Sequence, residues 1–214
     1  ANVNASPEQD KEKQEVAFTF FIDPGRRVYV RRITISGNER TRDEVIRREI
    51  RQLEGSWYST AKINRSKVRI DILKYFSAVS VETPAVANST DKVDVNVAVK
   101  EKPTGNVMFG LGFSQQEGII LSGNISQANI FGTGNHLALK ANTGAVRKLF
   151  SLSYTDPYFT VDGITAGIDL YMRSLNTNNL NAVSNIKSKT TGAALRFGLP
   201  ISETDSVFVG LGAE

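Results

Sequence analysis

The chain has 214 residues, with 26 Lys+Arg against 22 Asp+Glu, one histidine and no cysteine. The missing thiols exclude disulfide frameworks, thiolate catalysis and cysteine metal sites, and the lack of any run of about 18 apolar residues excludes a membrane-spanning helix. Composition changes at residue 103: 34 of the 48 charged residues lie at or before it and 14 of the 17 glycines after it, so two chemically different segments are expected.

Residues 1–13 are polar and charged and are expected to fray. Residues 16–22 are strand-like and end at the turn signal Asp23-Pro24-Gly25, so 1–24 reads as the tail of a preceding module. In the next strand the apolar positions run Val28, Val30 and then Ile33, Ile35, a slip of phase at Arg31-Arg32 that predicts a bulge. Gly37-Asn38 closes that strand. Thr41 and Glu44 fit a helix capping box, Ile46, Ile50 and Leu53 recur at helical spacing, and Gly55 suits the C-terminal cap. A second helix is expected from Ser59 or Thr60 to Phe76, followed by strands over 78–83 and 93–100. The order β-α-α-β-β over residues 25–102 is enough for a small two-layer α+β domain.

From residue 103 to 214 the pattern is alternation. Val107, Phe109, Leu111 and Phe113 interleave with Met108, Gly110, Gly112 and Ser114, and six further segments repeat the scheme as far as Val207, Val209 and Leu211. Charges fall opposite the large apolar residues. A charge on the lipid face of a membrane barrel costs about 2–4 kcal/mol at the midplane, so Lys140, Asp169, Arg173 and Arg196 are expected to face the lumen. A soluble sandwich is the competing reading, but its outward faces would carry many more charges. About seven antiparallel transmembrane strands cannot close a barrel, because open edges in hydrocarbon leave backbone groups unsatisfied. With the polar start and an end inside an alternating segment, we expect a piece of a larger processed protein.

The short connections Phe131-Gly132-Thr133-Gly134 and Thr155-Asp156-Pro157-Tyr158-Phe159 carry aromatics, as periplasmic turns do, and the connections at 115–118, 143–148 and 174–189 are polar. Strand alternation then puts the first domain on the periplasmic side.

Several ordered motifs resemble a known family: Val28-Tyr29-Val30-Arg31-Arg32-Ile33, Gly37-Asn38, Arg47-Arg48-Glu49 with Gln52-Leu53-Glu54-Gly55, Val99-Lys100-Glu101, the stretch 105–112, Phe131-Gly132-Thr133-Gly134, and Asp156-Pro157-Tyr158-Phe159 continuing to Gly163. They are similar to the last polypeptide-transport-associated (POTRA) domain and the first barrel strands of the BamA family of outer-membrane barrel-assembly proteins. The resemblance implies further POTRA domains upstream and a barrel of about sixteen strands. It also implies a mechanism in which the weakly paired first barrel strand adds strands of unfolded outer-membrane proteins to its free edge, a form of β-augmentation. That assigns substrate binding to Thr104, Gly105, Asn106, Val107, Met108, Phe109, Gly110, Leu111 and Gly112. Taken from the residues alone, these glycines equally read as easing barrel curvature. The family's later Arg-Gly-Phe loop motif has no counterpart in this sequence.

Arg47, Arg48, Arg51 and Glu54 are candidates for docking an accessory lipoprotein like the family's BamD, against a plain solvated helix face. Arg26, Arg27, Arg31 and Arg32 suit lipid headgroups or a hinge. Interleaved acids argue against nucleic acid. No enzyme is expected: His136, the sole histidine, has no nucleophile or carboxylate pattern about it, and Gly132-Thr133-Gly134 is too short for a phosphate loop. No metal or cofactor is implied. The alternative function is a related POTRA-barrel secretion pore or autotransporter-assembly subunit; a passive porin or adhesin anchor is the reading from a different class.

Overall fold

A computed structural model describes residues 2–10, 15–23, 27–177, 186–202 and 205–214. Among them twelve strands and two helices form three sheets. The first is a hairpin of β1 (Asn2–Asp10) and β2 (Glu15–Asp23), paired antiparallel from Asn2↔Asp23 to Asp10↔Glu15. The expectation that residues 1–13 fray is therefore corrected for 2–10, which gain a ladder of backbone hydrogen bonds from β2.

The second sheet has the order β3-β5-β4. In it β3 (Tyr29–Ser36) runs parallel to β5 (Lys92–Glu101), and β4 (Phe76–Glu82) runs antiparallel to β5. The central strand alternates as its sequence demands, burying Val95, Val97 and Val99. The bulge expected at Arg31-Arg32 is present as a register shift between Val30 and Arg32. It turns the Arg31 side chain outward to Asp94, with Nε donating to Oδ1 at 2.8 Å.

α1 (Asp43–Arg47) and α2 (Thr60–Ile72) cover one face of this sheet. Ile63, Ser66 and Ile70 of α2 are buried, one stripe at helical spacing, against a core of Val30, Ile33, Val45, Ile46, Phe76 and Val79. Ser59 caps α2, its hydroxyl accepting from the Lys62 amide. The second helix thus starts where the sequence predicts, but it ends at Ile72, and Phe76 opens β4.

The first helix differs more. No side chain caps it, so the capping box of Thr41 and Glu44 does not form. The Thr41 amide donates to Oε1 of Glu101 at 2.7 Å and its hydroxyl accepts from Asn129 at 2.8 Å, tertiary partners that replace the local ones. Nor does the helix reach Leu53, which is 66% exposed. Buried Gln52 organises a loop instead: its Nε2 donates to Ser56 Oγ at 2.8 Å and to the Trp57 carbonyl at 2.9 Å, and its Oε1 accepts from the Ser59 amide at 3.1 Å. Gly55 joins that loop to β3 through the Val30 carbonyl rather than capping the helix.

The third sheet holds β6 (Gly105–Ser114), β7 (Gly118–Ile130), β8 (Asn135–Thr143), β9 (Arg147–Asp156), β10 (Thr165–Asn176), β11 (Lys187–Pro200) and β12 (Ser206–Ala213), each antiparallel to the next. All seven expected strands are present. The register keeps one face apolar, as in the row Leu139↔Leu152↔Leu170. The other face is polar: Asn124↔Lys140↔Ser151 form one row, and Ser153↔Asp169 and Gly167↔Arg196 two more. Arg196 forms an ion pair with Asp169, whose Oδ1 also accepts from Ser153 Oγ at 2.6 Å. Lys140, Asp169, Arg173 and Arg196 share this polar face, the side on which a barrel keeps its water.

Candidate functional site

β6 ends the seven-stranded sheet. Its ladder to β7 runs from Gly105↔Gln127 to Ser114↔Gly118, and among the described residues nothing pairs with its other edge. In an antiparallel strand alternate residues point both backbone groups the same way, so about five residues of β6 present an unpaired N–H and C=O. Phe109, Leu111 and Phe113 are each more than three-quarters exposed. The glycines do not answer to backbone conformation, since Gly105, Gly110 and Gly112 all lie outside the left-handed region. A Cβ on Gly112 would meet only ordinary van der Waals contact with Ile120, and one on Gly110 only the movable Ser122 hydroxyl. The expected edge residues 105–112 thus lie together on one exposed strand. Thr104 sits just before it and fastens its base, with Oγ1 donating to the Ala128 carbonyl at 2.5 Å and accepting from Gln127 Nε2 at 2.8 Å.

Below that base the α+β domain is bolted to two turns of the sheet, the turn after β7 and the turn after β9. The first is the β7–β8 turn. Asn129 Nδ2 donates to Thr41 Oγ1 at 2.8 Å while its Oδ1 accepts from the Gly134 amide at 2.8 Å, so one side chain shapes the turn and holds the domain. The Arg42 amide donates to the Gly132 carbonyl at 3.0 Å, and the Tyr75 hydroxyl to the Gly134 carbonyl at 3.1 Å. Gly132 has φ +73°, and a Cβ there would collide with the Arg40 carbonyl. Only glycine fits both demands.

The second bolt is the β9–β10 turn. Tyr158 donates its hydroxyl to Oε1 of Glu49 at 2.8 Å and accepts from Arg69 Nη2 at 3.3 Å; Arg69 Nε donates to Oε2 of Glu49 at 2.9 Å. Glu49 is 3% exposed. Burial is the largest influence raising the Tyr158 pKa, and its bond to Glu49 and that carboxylate's charge raise it further. Burial works most strongly against the Arg69 charge, but Glu49 and Tyr158 outweigh it and raise the Arg69 pKa. The Arg48 guanidinium lies 4.0 Å from the Tyr158 ring centroid, with Nε and Nη2 buried and making no hydrogen bond. A cation over a ring face recovers part of that desolvation.

A crevice of about 830 Å³ opens between the two units, lined in part by Arg40, Glu101, Lys102, Gly105, Gln127 and Phe131. Glu101 lines its domain side and holds the Arg40–Thr41 loop of the same domain, accepting from the Thr41 amide at 2.7 Å and the Arg40 amide at 3.1 Å. Burial raises the Glu101 pKa, but the bonds from Thr41 and Arg40 outweigh it and the net shift is downward.

The expected lipoprotein-docking residues divide. Arg47 faces outward, with Nε donating to Asp43 Oδ2 at 2.7 Å. Arg51 donates to the Arg48 carbonyl at 3.1 Å, and Glu54 Oε1 accepts from the Ile33 amide at 2.7 Å beside the β3 bulge. Arg48 turns away from them into the barrel joint. Of the basic segment, Arg27 stacks on Trp57 at 4.2 Å and Arg31 binds Asp94, while Arg26 lies outside the described residues. Sequence reasoning left out Glu49, Arg69 and Asn129. The available signal is an acid three residues after Ile46, on the core side of the helix that the spacing of Ile46, Ile50 and Leu53 predicts, where no solvated carboxylate belongs. Phe159 is exposed, but Tyr158 turns inward to the domain.

Residues 28–102 match the family model described as POTRA, surface antigen variable number repeat, and residues 129–214 match the Omp85 superfamily domain. The outer membrane protein assembly factor BamA of Neisseria meningitidis serogroup B is 40% identical over 215 residues, covering 100% of this chain and 27% of that protein. BamA of Buchnera aphidicola is 32% identical over 210 residues, covering 98% of this chain and 34% of its own length. The crystal structure of BamA from Haemophilus ducreyi lacking POTRA domains 1–3 superposes with a TM-score of 0.81 at 36% identity, over 99% of this chain and 40% of that one. CdiB from Acinetobacter baumannii shares the fold, with a TM-score of 0.61 at 16% identity, over 98% of this chain and 40% of that one. The chain therefore spans between about a quarter and two-fifths of these four chains. These relationships place the seven-stranded sheet in the bacterial outer membrane and the α+β domain in the periplasm. The chain belongs to the Omp85 superfamily, joining a BamA-type POTRA domain to the first strands of its barrel.

Proposed function

We propose that the protein containing this chain assembles and inserts β-barrel proteins into the outer membrane, with β6 templating client strands by edge pairing. The observation that carries this reading is the edge itself. Among the described residues β6 presents the backbone groups of about five residues at its outer edge, and the periplasmic domain is fastened to the turns after β7 and β9 and leaves that edge uncovered. Main-chain hydrogen bonds supply the affinity, so clients of varied sequence can be accepted. No catalytic step belongs to the mechanism. In a closed barrel β6 meets the last strand, and the reading requires that seam to open.

Arg47, Arg51 and Glu54 remain the candidate surface for an accessory lipoprotein; Arg48 reaches it only through the backbone carbonyl that holds Arg51. The β1–β2 hairpin, a sheet of its own, suits the end of a preceding POTRA domain. A related POTRA-barrel secretion pore or autotransporter-assembly subunit is the second reading, and CdiB from Acinetobacter baumannii shares the fold. Depletion of the full-length protein separates the two: general loss of outer-membrane porins supports assembly, and normal porin levels with one secreted substrate lost sink it. Photocrosslinkers at residues 106–112 should capture a stalled client. Their silence in an active complex would remove β6 as the template.

A further inference from the structure

The apolar face of the sheet ends differently at its two rims. Across β9, β10 and β11 its rows run Tyr154↔Ile168↔Leu195, Leu152↔Leu170↔Ala193 and Phe150↔Met172↔Thr191, and the next row is Lys148↔Ser174↔Lys189. Lys187 follows two residues from Lys189 on the same side of β11, opposite Asn176. These lysines point to the lipid side and not into the lumen. The α+β domain lies at the other end of the strands, so this row is at the outer rim. At the inner end the same side carries Tyr154 and Asp156, so the basic character belongs to one rim only.

The three lysines are exposed, and among the described residues none of them is in an ion pair. The acid of the neighbouring β6–β7 turn, Glu117, is matched with Arg147 at 3.7 Å. Glu214, at the outer end of β12, accepts from the Tyr171 hydroxyl on the polar face. Residues 178–185, which complete the β10–β11 connection, contain no acid. Strand spacing puts Lys148 and Lys189 about 10 Å apart at the backbone and Lys187 about 7 Å from Lys189, with the Ser174 hydroxyl between the first two. Flexible ammonium groups at that separation can converge on phosphates held at the headgroup level.

We propose that Lys148, Lys187 and Lys189, with Ser174, form a site for the phosphate groups of outer-leaflet lipids, seated where the apolar band ends. The site rests on the outer-membrane placement of the sheet and extends the functional reading to a lipid ligand. It gives this side of the barrel a fixed depth and an ordered lipid boundary three to five strands from β6.

The test uses full-length protein reconstituted with phosphatidylcholine containing diphosphoryl lipid A, or the same lipid stripped of its phosphates. Lipid retained per protein after detergent extraction is read by native mass spectrometry. Wild type should retain the phosphorylated form selectively, K148Q/K187Q/K189Q should lose about fivefold in retention per lysine removed, and K148R/K187R/K189R should keep it. Equal retention by wild type and the Gln variant overturns the site, as does tighter capture of inorganic phosphate than of lipid in detergent. If the Gln variant does not fold, the single variants K148Q and K189Q carry the same comparison. Retention is measured without client protein, so it stands or falls separately from the assembly reading.

Discussion

The Tyr158 hydroxyl, on a turn between two barrel strands, donates to Oε1 of Glu49 in the periplasmic domain at 2.8 Å, across 109 positions of sequence. Arg69 closes the triangle from the second helix, and Arg48 lies over the ring. One aromatic residue therefore reports the placement of both periplasmic helices to the membrane sheet.

Tyr158→Phe keeps the ring under Arg48 and removes the hydroxyl that satisfies Glu49. It should lower the stability of the joint by about 1–3 kcal/mol. Glu49→Ala, which strands Arg69, should cost about 3–5 kcal/mol. A double-mutant cycle of Y158F with E49Q, read by thermal unfolding of the full-length protein in detergent, should give non-additive coupling of about 0.5–3 kcal/mol. Additive effects would show that the contact carries no energy.

Two glycines should answer oppositely to alanine. At Gly132, φ of +73° and the Arg40 carbonyl oppose any Cβ, so Gly132→Ala should loosen the domain from the sheet. At Gly112 there is room, and Gly112→Ala should leave the fold unchanged. Spin-label distances between α2 and the β7–β8 turn should broaden in the first variant only.

If the β6 glycines serve edge pairing, bulk at Gly110 and Gly112 should slow client insertion without unfolding the barrel. Gly110→Val/Gly112→Val should show wild-type heat-modifiability on gels and a reduced rate of porin assembly in vesicles. An unchanged rate would return these glycines to a role in curvature.

The joint should weaken in alkali, and the Arg40–Thr41 loop beside it in acid. Glu101 has a folded pKa below its unfolded value, so its contribution is complete above the ordinary carboxylate range and is lost as pH falls through the folded value. Tyr158 has a folded pKa above its unfolded value, so its contribution is complete below the ordinary tyrosine range and disappears as pH rises through the folded value. Hydrogen exchange at the Arg40 and Thr41 amides should rise in acid, and Glu101→Gln should flatten that limb. Tyr158→Phe should flatten the alkaline one.

Local pattern carried much of this structure. Alternation in β6 to β12 placed seven strands and assigned Lys140, Asp169 and Arg196 to one face, because side chains on a strand have a period of two and a lipid-facing charge is expensive. The phase slip at Arg31-Arg32 located a bulge, and Ser59 marked a helix start, for equally local reasons. Thr41 and Glu44 show where such reasoning fails: the motif for a capping box is present, but Asn129 and Glu101 compete for the same groups from far along the chain and win.

Residue pattern alone marks an α+β domain, a membrane sheet and the polarity of each strand, since these depend on neighbours within a few residues. Packing between distant segments assigns Arg48 and Glu49 to the barrel joint while Arg47 faces outward. Hydrogen bonds and burial between segments a hundred residues apart leave no periodic trace in a chain, and these contacts settle which of two adjacent arginines meets solvent.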